Sequence, residues 1–68
     1  MKYVITIDKQ VGTNSFNSQF INSTENETQA KMLVNELENA FDSFKLRTKT
    51  TKRSDGEFTF FNIELKRG

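Results

Sequence analysis

One segment of this sequence has the apolar spacing of an α-helix, and it runs from about Asn26 to Phe44. Apolar residues recur there at steps of three and four, so one stripe of the helix is apolar and the opposite side is polar. The stripe consists of Ala30, Leu33, Val34, Leu37, Ala40, Phe41 and Phe44. Thr24 and Glu27 have the spacing of a capping box, which predicts that the helix begins just after Thr24. Since a single helix covers only one face of a sheet, any sheet in this chain keeps its other face open.

The two ends of the chain have the period-2 alternation of β-strands. Residues 1–9, MKYVITIDK, alternate Tyr3, Ile5 and Ile7 with Val4, Thr6 and Asp8, which predicts a first strand with one well-defined apolar face. Residues 44–53 and 57–67 are two further alternating runs, joined by Ser54-Asp55-Gly56. An Asp-Gly pair between such runs favours a β-hairpin with a type I′ turn.

This turn fixes the register of the predicted hairpin. With Asp55 and Gly56 as the turn, the predicted cross-strand pairs are Leu46 with Leu65, Thr48 with Ile63, Thr50 with Phe61, Arg47 with Glu64, Lys49 with Asn62, Thr51 with Phe60 and Arg53 with Phe58. Strand alternation then sends Phe61 toward the helix and sends Phe58 and Phe60 to the opposite face. Three cations share that face with the two rings, namely Arg47, Lys49 and Arg53.

The predicted fold is a single small domain, residues 1–68, of the α+β class. One amphipathic helix packs on one face of a small antiparallel sheet, βαββ or ββαββ, with a C-terminal β-hairpin and the first strand beside a hairpin strand. The open point is the polar segment of residues 13–22. It places Phe16 and Phe20 on one side of an extended chain, and it is compatible with a second strand and with a loop.

The composition lacks the residues on which most catalytic and zinc-binding sites depend. The chain has no His and no Cys, so it lacks the usual general base near neutral pH, the most reactive nucleophile and the common zinc ligands. We therefore expect no enzymatic activity, cofactor, metal site or small-molecule substrate. The longest apolar run is interrupted at Lys2 and Thr6, and so predicts neither a membrane span nor a signal peptide. A cytoplasmic protein is the expectation.

The uncovered sheet face is the candidate site, and its first interpretation is a protein interface. Aromatic rings and arginines, here Phe58, Phe60, Arg47, Lys49 and Arg53, are what interface hot spots favour. The interface would join two copies of the chain or dock another protein. The proline-free composition, rich in Asn, Ser and Thr, is typical of a small accessory or phage-type regulator. A purely structural role for the cations, keeping a sheet edge from pairing, is a further interpretation.

The alternative function is binding of single-stranded RNA or DNA on the same face. Rings that stack on bases and cations that contact phosphates define such sites. Residues 44–68 carry seven Lys and Arg against three carboxylates. The candidate phosphate contacts beyond the face itself are Lys45, Lys52, Lys66 and Arg67. The six residues FTFFNI resemble the aromatic spacing of the first ribonucleoprotein motif of RNA recognition motif domains, although Glu57 separates Gly56 from Phe58 and the chain is too short for that fold.

Overall fold

The computed structural model of this chain describes residues 1–67, with only the backbone described at position 67. Its elements are β1 (Lys2–Gln10), β2 (Phe16–Thr24), α1 (Glu27–Ser43), β3 (Leu46–Asp55) and β4 (Phe58–Arg67). The four strands form one sheet in the order β2-β1-β4-β3. Both hairpins are antiparallel, and the central pair, β1 with β4, is parallel. The predicted α+β fold is confirmed in its ββαββ form, with β1 beside a strand of the C-terminal hairpin. The sheet is mixed rather than wholly antiparallel as predicted, because β1 and β4 run in the same direction.

The core lies between α1 and one sheet face. That face carries the alternating apolar residues of the central strands, which are Tyr3, Ile5, Ile7, Phe61, Ile63 and Leu65. From the helix, Ala30 and Val34 are buried against them, and Leu33, Leu37 and Phe41 are partly buried. The predicted stripe is wrong at Ala40 and Phe44, which are exposed. Phe44 leaves the stripe because α1 ends at Ser43 and Phe44 has the non-helical conformation of a C-cap.

The helix begins two residues later than the predicted capping box requires. Asn26 is the N-cap, and its side-chain oxygen accepts a hydrogen bond from the backbone N–H of Gln29 at 3.0 Å. Thr24 instead ends β2, where its hydroxyl accepts from the Asn26 N–H at 3.1 Å and donates to the Gln29 side chain at 2.9 Å. The Thr24–Glu27 capping box is therefore wrong, because Asn26 and Gln29 have the same spacing and occupy those positions.

The register of the β3–β4 hairpin differs from the prediction by two residues. Asp55 pairs with Phe58, so the two loop residues are Gly56 and Glu57 rather than Asp55 and Gly56. Only the first loop residue, Gly56, has a positive φ, at 61°, which is the pattern of a type II′ turn. The corrected pairs include Thr48 with Leu65, Thr50 with Ile63, Lys49 with Glu64 and Arg53 with Phe60. A two-residue shift preserves alternation, so every hairpin side chain remains on its predicted face.

The polar segment forms the edge strand β2. It pairs with β1 from Tyr3–Thr24 to Gln10–Phe16, and one β-bulge interrupts the ladder. At the bulge Ile5 pairs with Asn22 and Thr6 pairs with Phe20, which leaves Ile21 as the extra residue. Ile21 is partly buried against the core. The strand alternative for this segment is therefore the correct one.

Candidate functional site

The sheet face opposite α1, called the open face from here on, is covered by no other element among residues 1–67. Side chains of paired residues lie on the same face of a sheet, so the three ladders identify the residues of the open face. The members are Lys2, Val4, Thr6, Asp8 and Gln10 of β1, Phe16, Ser18, Phe20 and Ser23 of β2, Arg47, Lys49, Thr51, Arg53 and Asp55 of β3, and Phe58, Phe60, Asn62, Glu64 and Lys66 of β4.

Phe58, Phe60 and Arg53 form one contact group at the turn end of the open face. The two rings stack with centroids 6.2 Å apart and planes 23° apart. The guanidinium carbon of Arg53 lies 5.1 Å from the Phe60 centroid, within cation–π range. Phe60 is half-buried in this arrangement, whereas Phe58 remains 44% exposed. The structure therefore brings together three of the five residues that the sequence assigned to partner binding.

The other two, Arg47 and Lys49, lie further along β3 on the same face. Both side chains are exposed. Lys49 is opposite Glu64, a pairing of opposite charges, and Arg47 is opposite Lys66. Like charges directly across a ladder are destabilising, so an anion bound near both Arg47 and Lys66 would offset their repulsion.

The candidate phosphate contacts are scattered. Lys66 lies on the open face opposite Arg47. Lys52 lies on the helix side of the sheet, where its ammonium is 5.8 Å from the Phe61 centroid. Lys45 occupies the corner between α1 and β3 with a φ of 60°. Arg67 ends β4, and its side chain lies outside the described part of the structure. Of these candidate phosphate contacts, Lys66 therefore lies on the open face and Lys52 lies on the opposite face.

Two further phenylalanines belong to the open face and were not assigned to it from the sequence. Phe20 pairs with Thr6 and Phe16 pairs with Gln10, so both rings lie on the side of Phe60. They are 62% and 39% exposed, respectively. Their four-residue spacing in an extended chain indicates a common side, but only the pairing of β2 with β1 identifies which side it is. The open face therefore presents four phenylalanines from both halves of the sheet.

A polar network crosses the middle of the open face. Thr6 Oγ1 donates to Asn62 Oδ1 at 2.9 Å, and Asn62 Nδ2 donates to Asp8 Oδ2 at 3.0 Å. Ser18 Oγ donates to the other Asp8 oxygen at 2.5 Å. These residues, with Thr51, Arg53 and Phe60, line a depression of about 390 Å³. Because both Asp8 oxygens accept hydrogen bonds, the network fixes the surface around the rings rather than offering a free carboxylate.

On the helix side, three residues join β1 to the first turn of α1. Tyr3 donates from its hydroxyl to Glu27 Oε2 at 2.9 Å, and Lys31 Nζ lies 2.8 Å from Glu27 Oε1. Hydrogen bonds from Lys31 and from Tyr3 lower the pKa of the Glu27 carboxyl below its ordinary value of 4.5. The same bond to Glu27 raises the pKa of the Tyr3 hydroxyl above 10.0. This chain of contacts lies away from the open face and serves to hold the helix on the sheet.

Within residues 1–67, no three carboxylates lie close enough together to hold a metal ion. In the same part of the chain, no helix has both the length and the apolar content needed to cross a membrane. Comparison with protein-family models, with curated proteins and with solved structures finds no match to this chain.

Proposed function

We propose that this protein is a non-enzymatic binding module whose open face docks onto another protein. The observation that carries the proposal is the group of Phe58, Phe60 and Arg53 on a sheet face that α1 does not cover. Aromatic side chains and arginines are enriched in interface hot spots, and they contribute most when they are already ordered before binding. The stacked rings and the arginine above them meet that condition.

The charges of the open face indicate the chemistry of the partner. Five cations lie on it, Lys2, Arg47, Lys49, Arg53 and Lys66, against the three carboxylates Asp8, Asp55 and Glu64. Three of the cations follow β3, one rim of the sheet. A partner surface with an apolar centre and an acidic rim is complementary to this arrangement. In a role of this kind, the protein regulates its partner by occupying a surface on it.

The test is partner binding by three single variants. Phe58→Ser and Phe60→Ala remove rings of the open face, and Phe44→Ser removes an equally apolar ring that is 76% exposed at the end of α1. A protein retained from source-cell extract by the wild type is identified, purified and titrated by calorimetry against each variant. We expect either open-face substitution to weaken binding by at least about 30-fold, ~2 kcal/mol, and Phe44→Ser to leave it unchanged.

The calorimetric comparison has a clear contrary outcome. If all three variants bind a partner as the wild type does, the open face is not the docking surface. Circular dichroism establishes that each variant is folded. Because Phe58 is more exposed than Phe60, its substitution separates loss of binding from loss of stability.

The second function is binding of single-stranded nucleic acid, and the Arg47–Lys66 pair favours it. These two cations face each other on adjacent strands, beside a face with rings on which bases can stack. Fluorescence anisotropy with mixed-sequence RNA and DNA oligonucleotides, at low and moderate salt, tests this function. Tight binding that falls steeply with salt and is lost in Lys66→Glu supports it. If the protein binds neither oligonucleotide at either salt concentration, another protein remains as the class of ligand.

A further inference from the structure

The two edges of the sheet differ sharply in charge. The edge strand β3 carries four cations, Arg47, Lys49, Lys52 and Arg53. Charged side chains of this kind prevent an edge strand from pairing with another chain. The other edge strand, β2, reads FNSQFINST and contains no charged residue and no proline. Its first five residues, Phe16–Phe20, are all exposed. Only one edge of this sheet is therefore protected by charge.

The β-bulge of β2 leaves a regular run free to pair. The extra residue is Ile21, so the run Phe16–Phe20 is uninterrupted and pairs with Thr6–Gln10 on its inner side. The outer side of the same run presents unpaired backbone N–H and C=O groups along the edge of the sheet. An added antiparallel strand would satisfy those groups.

The sequence of this run is self-complementary. In an antiparallel pair of two copies centred on Ser18, Phe16 of each copy lies opposite Phe20 of the other, and Asn17 lies opposite Gln19. Both phenylalanines are on the open face, so two aromatic cross-strand pairs form there, and aromatic pairs stabilise a ladder. The two amide side chains meet on the other face, where they hydrogen-bond each other.

A second copy of this chain therefore fits β2 better than another occupant of the edge. A neutral strand meets its own copy without charge repulsion, whereas β3 would bring four cations against four. Pairing β2 with β3 of the next copy would be head-to-tail and would continue into an open filament. The pairing of β2 with β2 is two-fold symmetric and closes at two copies.

We propose that the chain forms a symmetric dimer in which β2 of each copy pairs antiparallel around Ser18, giving one continuous eight-stranded sheet. This inference goes beyond the proposed function, because the edge of β2 lies apart from the Phe58–Phe60 group. The pairing would place the two open faces side by side. A partner would then meet a doubled surface, with rings from both copies across its centre.

The first test uses complementary charges at the edge. One double variant carries Asn17→Lys with Gln19→Lys, and a second carries Asn17→Glu with Gln19→Glu. The control is Asn35→Lys with Asn39→Lys, which adds the same charge at exposed helix positions. Light scattering after size exclusion distinguishes the 7.9 kDa chain from its dimer, from micromolar to millimolar concentration. We expect wild type and control to dimerise, each edge variant to be monomeric, and a mixture of the two edge variants to recover the dimer.

The outcomes of this test are decisive in both directions. A wild type that is monomeric throughout the range overturns the proposal, and so does a dimer that survives in both edge variants. A dimer lost in Phe58→Ser and kept in the edge variants would instead be a face-to-face dimer through the open face. Because the partner titration uses Phe58 and Phe60, failure of the edge dimer leaves the proposed function standing, and the reverse also holds.

If the edge variants fail to fold, disulfide cross-linking provides a second test of the dimer. The chain contains no cysteine, so Ser18→Cys introduces a single thiol at the proposed two-fold axis. Oxidised glutathione should convert this variant rapidly to a disulfide-linked dimer, because two cysteines directly opposite each other in a ladder are within bridging distance. Ser43→Cys, at the end of α1, is the control. Equal rates of linkage in the two variants would overturn the proposal.

Discussion

Arg53 lies over the ring of Phe60 from the neighbouring strand, with its guanidinium carbon 5.1 Å from the ring centroid. Phe60 in turn stacks with Phe58, so three side chains order one another on a face that no other element within residues 1–67 covers. This contact holds the turn end of the β3–β4 hairpin on its outer side. It also reduces the entropy that the two rings would lose on binding a partner.

The Arg53–Phe60 contact should be measurable as a coupling free energy. In a double-mutant cycle of Arg53→Gln and Phe60→Leu, followed by urea unfolding, we expect a coupling of about 0.5–1 kcal/mol. The matched control is the cycle of Lys49→Gln with Phe60→Leu, because Lys49 lies on the same face and is opposite Glu64 instead. Equal coupling in the two cycles would mean that the cation–π contact contributes nothing specific.

For Arg53, the sequence predicts the correct face of the sheet but not the correct cross-strand partner. Alternation correctly placed Phe58, Phe60 and Arg53 on one face, because a two-residue slip does not change which side a residue occupies. The predicted cross-strand partner of Arg53, Phe58, was wrong, because Arg53 pairs with Phe60. The Asp55-Gly56 pair is compatible with a type I′ turn, but Gly56 serves equally well as the first residue of a type II′ turn, and local preference does not choose between them.

The edge strand β2 was the least predictable element for a physical reason. Its only side chain packed on the core is Ile21, and Ile21 sits at a bulge, so no apolar alternation marks the strand. The positions of Phe16 and Phe20 depend on long-range pairing with β1, which is invisible in a polar local sequence. The helix, by contrast, buries an apolar stripe against the core, so the helical period of its apolar residues is visible in the sequence.

The link between Tyr3, Glu27 and Lys31 should make stability depend on acid pH. The folded-state pKa of Glu27 is lowered, so its contribution is present above the unfolded value of 4.5 and is lost as pH falls through the folded pKa. We expect Glu27→Gln to lower the urea midpoint at pH 7 and to flatten its decline below pH 4.5. Glu25→Gln is the control, since it removes a carboxylate two positions away that Tyr3 does not contact.

Parallel pH profiles for wild type and Glu27→Gln below that point would contradict this assignment. The wild-type curve should be the steeper of the two, because only the wild type must protonate a carboxylate that Lys31 and Tyr3 stabilise in its charged form. The Glu25→Gln profile should follow the wild type.

The N-cap at Asn26 predicts a graded effect of two substitutions. Asn26→Ala removes the acceptor for the Gln29 N–H and should reduce the free energy of unfolding by about 1 kcal/mol. Asn26→Asp keeps an acceptor and adds a negative charge at the helix N-terminus, so it should retain or slightly raise stability at neutral pH. Thermal or urea unfolding measures both, and equal losses in the two variants would show that the Asn26 side chain is not the cap.

Lys45 predicts a stabilising substitution at the other end of the helix. Its φ of 60° is in the left-handed region, which favours glycine, and its backbone N–H donates to the Asp42 carbonyl at 2.9 Å to close the helix end. Lys45→Gly should relieve the steric cost of the Cβ and raise the free energy of unfolding by about 0.5–1 kcal/mol in urea titrations. Lys45→Ala is the control, because it removes the same charge and keeps the Cβ. If alanine stabilises as much as glycine, the effect comes from the lysine charge and not from the backbone. Lys45→Gly also separates structure from function: if Lys45 contacts phosphate, the more stable variant should bind oligonucleotides less well than the wild type.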